Sequence, residues 1–280
     1  MQGAIFWKNG IGYPLDGHIA TCVAVSPYAE YIAGYDLGST RFWRSGQPVA
    51  LTDGSDTGFR SNPNGYFPNF ISLSGHDVYV AGYVWVKNKY AAVYWKNGQA
   101  ISLMEDSTHS SVALNIAVSG NTVAVLGLLD GSPNYWVNGI PHALGLPGQV
   151  VSATGLAVSG NDVYVSGYDD GAVFWKNGSV VPLNDTFQYS FPTSIYVKGN
   201  DIYVAGYGES NNNGLYSMYW KNGVSHTLGK GQAFSIAVSG DNVYVAGFNG
   251  NAVYYKNDQP VNLENSNGGA AYSIAVLPLK

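Results

Sequence analysis

Six carboxylates, Asp36, Glu105, Asp130, Asp169, Asp185 and Glu209, fall in stretches of this chain that differ from one another in length and composition. Glycoside hydrolysis needs two carboxyl groups about 5–10 Å apart. These six occupy different repeats at different offsets, so the sequence brings no two of them together. The same stretches hold Tyr35, Arg41, Phe59, Arg60, Trp85, Tyr168, Phe187 and Tyr189 beside Asp36 and Asp169. Rings next to short polar groups suit carbohydrate or peptide binding. The rings cover apolar faces, and the planar polar groups take directional bonds. These ten residues form the candidate ligand-binding set, and no catalytic set stands out. Asp169-Asp170 offers hard oxygens of the kind Ca²⁺ wants, but an acidic pair also favours a turn and is read as one. His18, His76, His109, His142 and His226 show no metal-ligand spacing and read as surface or turn residues. No metal and no cofactor is expected.

Composition narrows the classes. Of the 280 residues, 46% are hydrophobic, 14% aromatic and only 11% charged. An average protein carries about 25% charged residues, so this surface must be built from Asn, Ser, Thr, Gly and Tyr. The net charge of −5 and the scattered lysines give no basic stripe for nucleic acid. Cys22 is the single cysteine, which excludes an internal disulfide. It lies in the apolar run Cys22-Val-Ala-Val25 and reads as a buried, inert thiol. No apolar run reaches the ~18 residues of a membrane span. Met1-Gln-Gly-Ala-Ile5 is no signal peptide, so export would require a leader removed from this chain.

The elements that must position the candidates come from a repeat. An aromatic pair followed by a turn recurs seven times, at Phe6-Trp7, Phe42-Trp43, Tyr94-Trp95, Tyr135-Trp136, Phe174-Trp175, Tyr219-Trp220 and Tyr254-Tyr255. Six intervals cover the 248 positions from Trp7 to Tyr255, a mean period of about 41. Periods near ~40–50 with several strands each mark propeller blades. Each repeat resolves into four strands. Strand A is Leu156-Ala-Val158, strand B Val163-Tyr-Val-Ser166, strand C carries the aromatic pair, and strand D is Val180-Val-Pro-Leu183. Asn177-Gly178 between C and D is a type I′ hairpin signal. Prolines 14, 48, 182 and 260 place strand D at an edge, where a lost donor costs little. The Trp rings are predicted to fill the core between blades, and the lysines Lys8, Lys96, Lys176, Lys221 and Lys256 to form a solvated edge.

Asp77-Val-Tyr-Val-Ala-Gly-Tyr83 and Tyr94-Trp-Lys-Asn-Gly98 make the chain resemble bacterial cell-surface and secreted β-propellers built on repeats of this form. The resemblance runs over essentially the full length. It implies the fold and an extracellular or cell-surface location, and no activity. A WD40 propeller fits worse, because Gly75-His76 occurs once and no Trp-Asp pair exists.

The expected fold is all-β: a single domain over residues 1–280, a seven-bladed propeller of four-stranded antiparallel blades. Its last blade is expected to combine Ala271–Val276 with the N-terminal C and D strands. That blade would lack strand B, leaving a site for an upstream segment or a neighbouring molecule, with oligomeric state open. Tyr196 stands where other A strands carry Ala or Ser, and is expected to project into a cavity or the central channel. The A–B and C–D turns share one end of each blade and are short and uniform. The B–C and D–A loops share the other end and vary, which is where recognition residues usually sit. The function expected is a non-catalytic binding or scaffold propeller, taking a glycan, protein or peptide on the long-loop face around the central channel. The alternative is a propeller glycosidase or lyase with carboxylates at the channel mouth.

Overall fold

The structure is a computed structural model, and it describes residues 3–17, 19–36, 39–49, 70–86, 89–104, 108–145, 149, 151–210 and 214–277. Within these ranges the side chains of residues 35–36, 39–41, 85–86 and 267 lie outside this description. The chain divides into two compact units, Met1–Phe6 with Pro14–Leu146 and Trp7–Tyr13 with Pro147–Lys280.

β1 (Ile5–Lys8) and β2 (Ile11–Pro14) form a two-stranded sheet. The first unit then holds three four-stranded sheets. Blade 1 is β3 (Ile19–Val25), β4 (Glu30–Asp36), β5 (Ser39–Arg44) and β6 (Gln47–Pro48). Blade 2 is β7 (Phe70–Ser74), β8 (Asp77–Val86), β9 (Lys89–Lys96) and β10 (Gln99–Ser102). Blade 3 is β11 (Ser111–Ser119), β12 (Thr122–Leu129), β13 (Ser132–Val137) and β14 (Ile140–Ala143). The second unit holds three more. Blade 4 is β15 (Val151–Ser159), β16 (Asp162–Asp169), β17 (Ala172–Lys176) and β18 (Ser179–Pro182). Blade 5 is β19 (Tyr189–Lys198), β20 (Asp201–Glu209), β21 (Leu215–Lys221) and β22 (Val224–Lys230). Blade 6 is β23 (Gln232–Ser239), β24 (Asn242–Phe248), β25 (Asn251–Lys256) and β26 (Gln259–Asn267).

The chain is therefore an all-β propeller with six four-stranded antiparallel blades among the described residues, and the seven-bladed expectation is corrected. The aromatic pair Phe6-Trp7 is real, but its repeat supplies only β1 and β2. Residues Ala271–Val276, expected as the A strand of a closing blade, form no strand. The reason is physical: a strand exists through its ladder. These residues spend backbone donors elsewhere, Ala271 N–H on the Gly247 carbonyl (3.1 Å) and Ile274 N–H on Ser235 Oγ (3.2 Å).

The turns form as their residues dictate. Asn177 and Gly178 both take positive φ (51° and 82°), the type I′ geometry that side-chain amides and glycine tolerate. Strand B is buried on both faces, with Val163, Tyr164 and Val165 all buried, because a sheet covers each side of it. Strand A carries a bulge in five blades, at Thr21, Leu114, Thr154, Thr193 and Phe234. Opposite each bulge stands the glycine of the repeat: Gly34, Gly127, Gly167, Gly206 and Gly247. A Cβ at any of them would fall inside the contact radius of the strand-A carbonyl oxygen just before the bulge. That explains the glycine of Val-Tyr-Val-Ala-Gly-Tyr as a close-approach residue rather than a turn residue.

The Trp expectation holds where side chains are described. Trp43, Trp95, Trp136, Trp175 and Trp220 are at most 1% exposed. Trp95 packs with Cys22, Ala33 and Phe42 of the preceding blade, and Trp136 with Tyr79, Ala81 and Ala92. Trp220 packs with Tyr164, Phe174 and Leu183. Trp7 follows the same rule from the two-stranded sheet, meeting Ala246, Ala252 and Leu263 of blade 6. Its indole donates to the Glu264 carbonyl (2.7 Å), as Trp220 donates to that of Asn184 (3.2 Å). Cys22 is buried, as expected, with Sγ 3.4 Å from the Ile71 nitrogen.

Two substitutions test this construction. Trp175→Ala is expected to destabilise the fold by about 3–5 kcal/mol in urea denaturation. Gly167→Ala, a smaller change in volume, is expected to cost about 1–3 kcal/mol because backbone has to move. A loss below about 0.5 kcal/mol from either, within the ordinary range for exposed sites, contradicts the assignment.

Candidate functional site

Two ends of each blade are candidates, and the structure treats them differently. At the turn end, the A–B and C–D turns of a blade are clasped together. In blade 4, Asn177 Oδ1 accepts from Val163 N–H (2.8 Å), and Asn177 Nδ2 donates to Asp162 Oδ1 (2.8 Å). Lys176 Nζ completes the clasp 2.8 Å from Asp162 Oδ2 and lies 5.4 Å from the centroid of the Tyr164 ring. Blade 2 repeats it with Asp77, Lys96, Asn97 and Tyr79. Blade 5 repeats it with Asp201, Lys221, Asn222 and Tyr203. The strand-C lysines are therefore not a merely solvated edge: in these three blades they are paired and seated on rings. In blade 6, Asn242 replaces the acid, and Asn257 bonds it at 2.7 Å.

The charges respond accordingly. Lys176 and Asn177 hold the Asp162 carboxyl below the ordinary 3.8, and Lys96 and Asn97 do the same for Asp77. Asn222, then Lys221, lower Asp201. The Asp partners raise Lys176 and Lys96 above the ordinary 10.5.

At the loop end, the second unit gathers aromatic rings. Tyr168, at the end of β16, stacks with Phe191 of β19 at a centroid distance of 6.3 Å. Phe191 meets Tyr207 of β20 at 5.2 Å. Phe187 meets Tyr216 of β21 at 5.6 Å and lies against Gly208, where a Cβ would collide with its ring. Tyr189 shares the Phe191 side of β19, two residues away, and is 48% exposed. Asp185 shapes the loop before β19, accepting from Phe187 N–H and Ser190 Oγ–H (both 2.9 Å).

Of the ten candidates, Tyr168 meets Phe191 and Tyr189 shares its side of β19, whereas Phe187 packs separately on Tyr216 and Gly208. Asp169 lies beside Tyr168 in the ladder and accepts a hydrogen bond from Gln149 Nε2. Tyr35, Asp36 and Arg41 are placed in β4 and β5 by backbone alone, and Trp85 in β8; their side chains, and all of Phe59 and Arg60, lie outside the described residues. Phe191, Tyr207 and Tyr216 were missed. Tyr207 was legible, since it holds the same repeat position as Tyr168, directly after the close-approach glycine.

The carboxylates have local duties. Asp130 accepts from Ser110 N–H (2.8 Å) and stands 3.7 Å from His109 Nε2. Asp170 has φ of 55° and turns the chain with Gly171, so the Asp169-Asp170 pair is the turn it was read as. Among the described residues no group of three or more His, Cys, Asp or Glu is placed to hold a metal. His142 and His226 stack on Tyr135 and Tyr219 across strands C and D, at 4.9 and 4.6 Å. Tyr196 is half-buried and packs on the cluster of Tyr203, Tyr219 and Tyr255 that blades 5 and 6 share; burial pushes its pKa up.

No family model and no curated protein matches this chain. Solved structures do. It is similar to the computationally designed Ika8 protein, at 18% identity and a TM-score of 0.58 over 99% of this chain and 92% of that one. A chain of the mitotic checkpoint complex is similar at 12% identity and 0.54, covering 98% and 88%. A chain of the nidogen/laminin complex is similar at 10% identity and 0.50, covering 88% and 93%. These likenesses speak to the fold alone.

The clasps predict a pH response. A lowered carboxyl pKa contributes stability above the unfolded value and loses it as pH falls through the folded one. Raised lysines contribute below their unfolded value and lose it as pH climbs through the folded one. Melting temperature is therefore expected to drop in acid below pH about 4 and in strong alkali, modestly because these pairs are solvent-exposed. Replacing Asp77, Asp162 and Asp201 together by Asn is expected to flatten the acid limb; an unchanged profile contradicts the account.

Proposed function

We propose that this protein is a non-catalytic binding module that takes a peptide segment or a glycan on the loop end of its blades. The observation that supports this best is the run of rings Tyr168, Phe191 and Tyr207, with Tyr189 half in solvent beside it. Such an arrangement offers apolar faces at little cost in conformational entropy, with directional polar groups adjacent. It stands on three rigid strands, β16, β19 and β20, which favours preorganised recognition over induced fit. Two of the similar solved chains come from complexes with protein partners, nidogen with laminin and the mitotic checkpoint assembly, which is in keeping with a binding role. Resemblance of the repeat to cell-surface propellers supports display outside the cell.

An enzyme fits the described groups less well. Asp130 and Asp185 are occupied in holding their own loops. The carboxyl groups with displaced pKa, Asp77, Asp162 and Asp201, sit at the turn end and are lowered. A general acid working near neutrality needs the opposite shift.

The test is to probe the immobilised protein with a displayed peptide library and a glycan array, then repeat with Tyr168→Ala and Tyr189→Ala together. Hits are expected to weaken at least ~10-fold in the double variant, the loss typical of aromatic anchors, with melting temperature preserved. Asn177→Ala is expected to lower stability and leave binding alone. Hits that survive the double variant, or vanish only with Asn177→Ala, refute the placement.

A further inference from the structure

Blade 1 breaks the clasp that blades 2, 4 and 5 share, and it breaks it beside a cavity. Register places Tyr31 of β4 where blade 2 has Tyr79, because each pairs with the same strand-A position, Ala24 and Ser72. Counting back, Ala29 stands where Asp77 stands, and Tyr28 where His76 stands. Glu30 is one residue out of register, at the place of Val78. On the C–D side, Arg44 and Ser45 replace Lys96 and Asn97. Blade 1 has thus lost both the carboxylate and the amide of the clasp, while keeping a cation.

The lost clasp is replaced by a different brace. Ser26 Oγ accepts from the N–H groups of Tyr28 (3.2 Å) and Ala29 (3.1 Å), which fixes the A–B turn without Asp or Asn. This presents Tyr28 at 77% exposure. Its ring meets His76 of the next blade at 5.8 Å, tilted by 31°. In blades 3, 4 and 5 the position of Tyr28 and His76 is held by Asn121, Asn161 and Asn200. Arg44 lies over the Tyr31 ring, with Cζ 5.8 Å from its centroid. These departures from the repeat converge on one cavity of about 300 Å³ between blades 1 and 2. Ser26, Tyr28, Tyr31, Arg44, His76 and Asp77 are among the residues lining it.

We propose that this cavity is a second binding site, for a single acidic sugar residue of the hexuronic acid type. A pocket near the ~300 Å³ lower limit of ligand sites holds one ring-sized group. Tyr28 and His76 form a lip on which the apolar face of a pyranose packs. Asp77 is already neutralised by Lys96 at 2.9 Å and tied to Asn97 at 2.7 Å, so Arg44 sets the charge of the cavity. With one guanidinium face on Tyr31, its N–H edge is the fork that pairs with a carboxylate. The Asp77 carboxylate keeps acceptor capacity for a sugar hydroxyl. This site is at the turn end, in the first unit, and does not depend on the loop-end reading.

Isothermal titration with D-glucuronate, D-glucose and inorganic sulfate tests it. Glucuronate is expected to bind once per chain, and glucose and sulfate at least ~10-fold more weakly, about one charge-assisted hydrogen bond each. Ala29→Asp restores the residue that the other clasps carry and should pair Arg44 internally. It is expected to cost glucuronate at least ~10-fold, with a lower melting temperature because Ala29 is buried, and Arg44→Gln to cost as much with melting temperature retained. His76→Asn, the repeat residue, is expected to weaken glucuronate several-fold and to leave any loop-end ligand untouched. The proposal is overturned if glucuronate fails to bind at tens of millimolar, roughly the floor of useful affinity, if sulfate matches it, or if Ala29→Asp binds as the parent does. Tyr168→Ala with Tyr189→Ala is expected to leave glucuronate binding intact, so the two readings fail separately.

Discussion

The burial of one large ring per repeat against the preceding sheet is the interaction on which the rest of this structure depends. A four-stranded sheet of short strands has two faces and little else, and it is not stable alone. Trp95, Trp136 and Trp220 each close the gap to the sheet before them. The close-approach glycines belong to the same device. A Cβ on Gly167 would meet both the Ser152 carbonyl oxygen and, at 2.9 Å, the Trp175 ring. The glycine therefore lets the bulged inner strand and the flat indole occupy adjoining space. Bulge and glycine recur together in five blades, and in blade 4 the tryptophan joins them.

With the blade interiors committed to packing, variation is left to the ends. At the turn end the Asp–Asn–Lys–Tyr clasp repeats with small differences in geometry: the Lys–Asp distance is 2.8 Å in blade 4, 2.9 Å in blade 2 and 3.6 Å in blade 5. Its recurrence in blades 2, 4 and 5 makes blade 1 informative, because there Arg44 keeps its place over Tyr31 with no carboxylate at the position of Asp77. At the loop end, regularity is low from the outset; β19–β20 pairing sets Phe191 beside Tyr207, and packing of blade 4 on blade 5 brings Tyr168 to Phe191.

Much of this was legible in the residues. Asn-Gly pairs announced their turns, since few residues accept positive φ twice in succession. The branched and aromatic run Val-Tyr-Val announced a strand suited to a buried surface, and the recurring Trp announced a core position. Tyr207 was equally legible from its repeat position and was overlooked because it lies in a strand rather than a loop. Phe191 was harder to read: other blades carry Ser152 or Gln232 there, so no pattern marks it. The blade count was misjudged because seven aromatic pairs and seven apolar A segments were counted as seven blades, whereas the last A segment, Ala271–Val276, forms no strand.

The sequence by itself determined the local chemistry of the repeat: turns, strand faces, the close-approach glycine and the ring that must be buried. These follow from φ preference, side-chain volume and periodicity, which act over a few residues. Tertiary structure decided what no local rule contains. It decided that residues 270–277 make no strand, because a ladder needs a neighbour. It also decided that Tyr28, Arg44 and His76, up to 48 positions apart in the chain, line one cavity, because stacking two sheets sets their turns side by side.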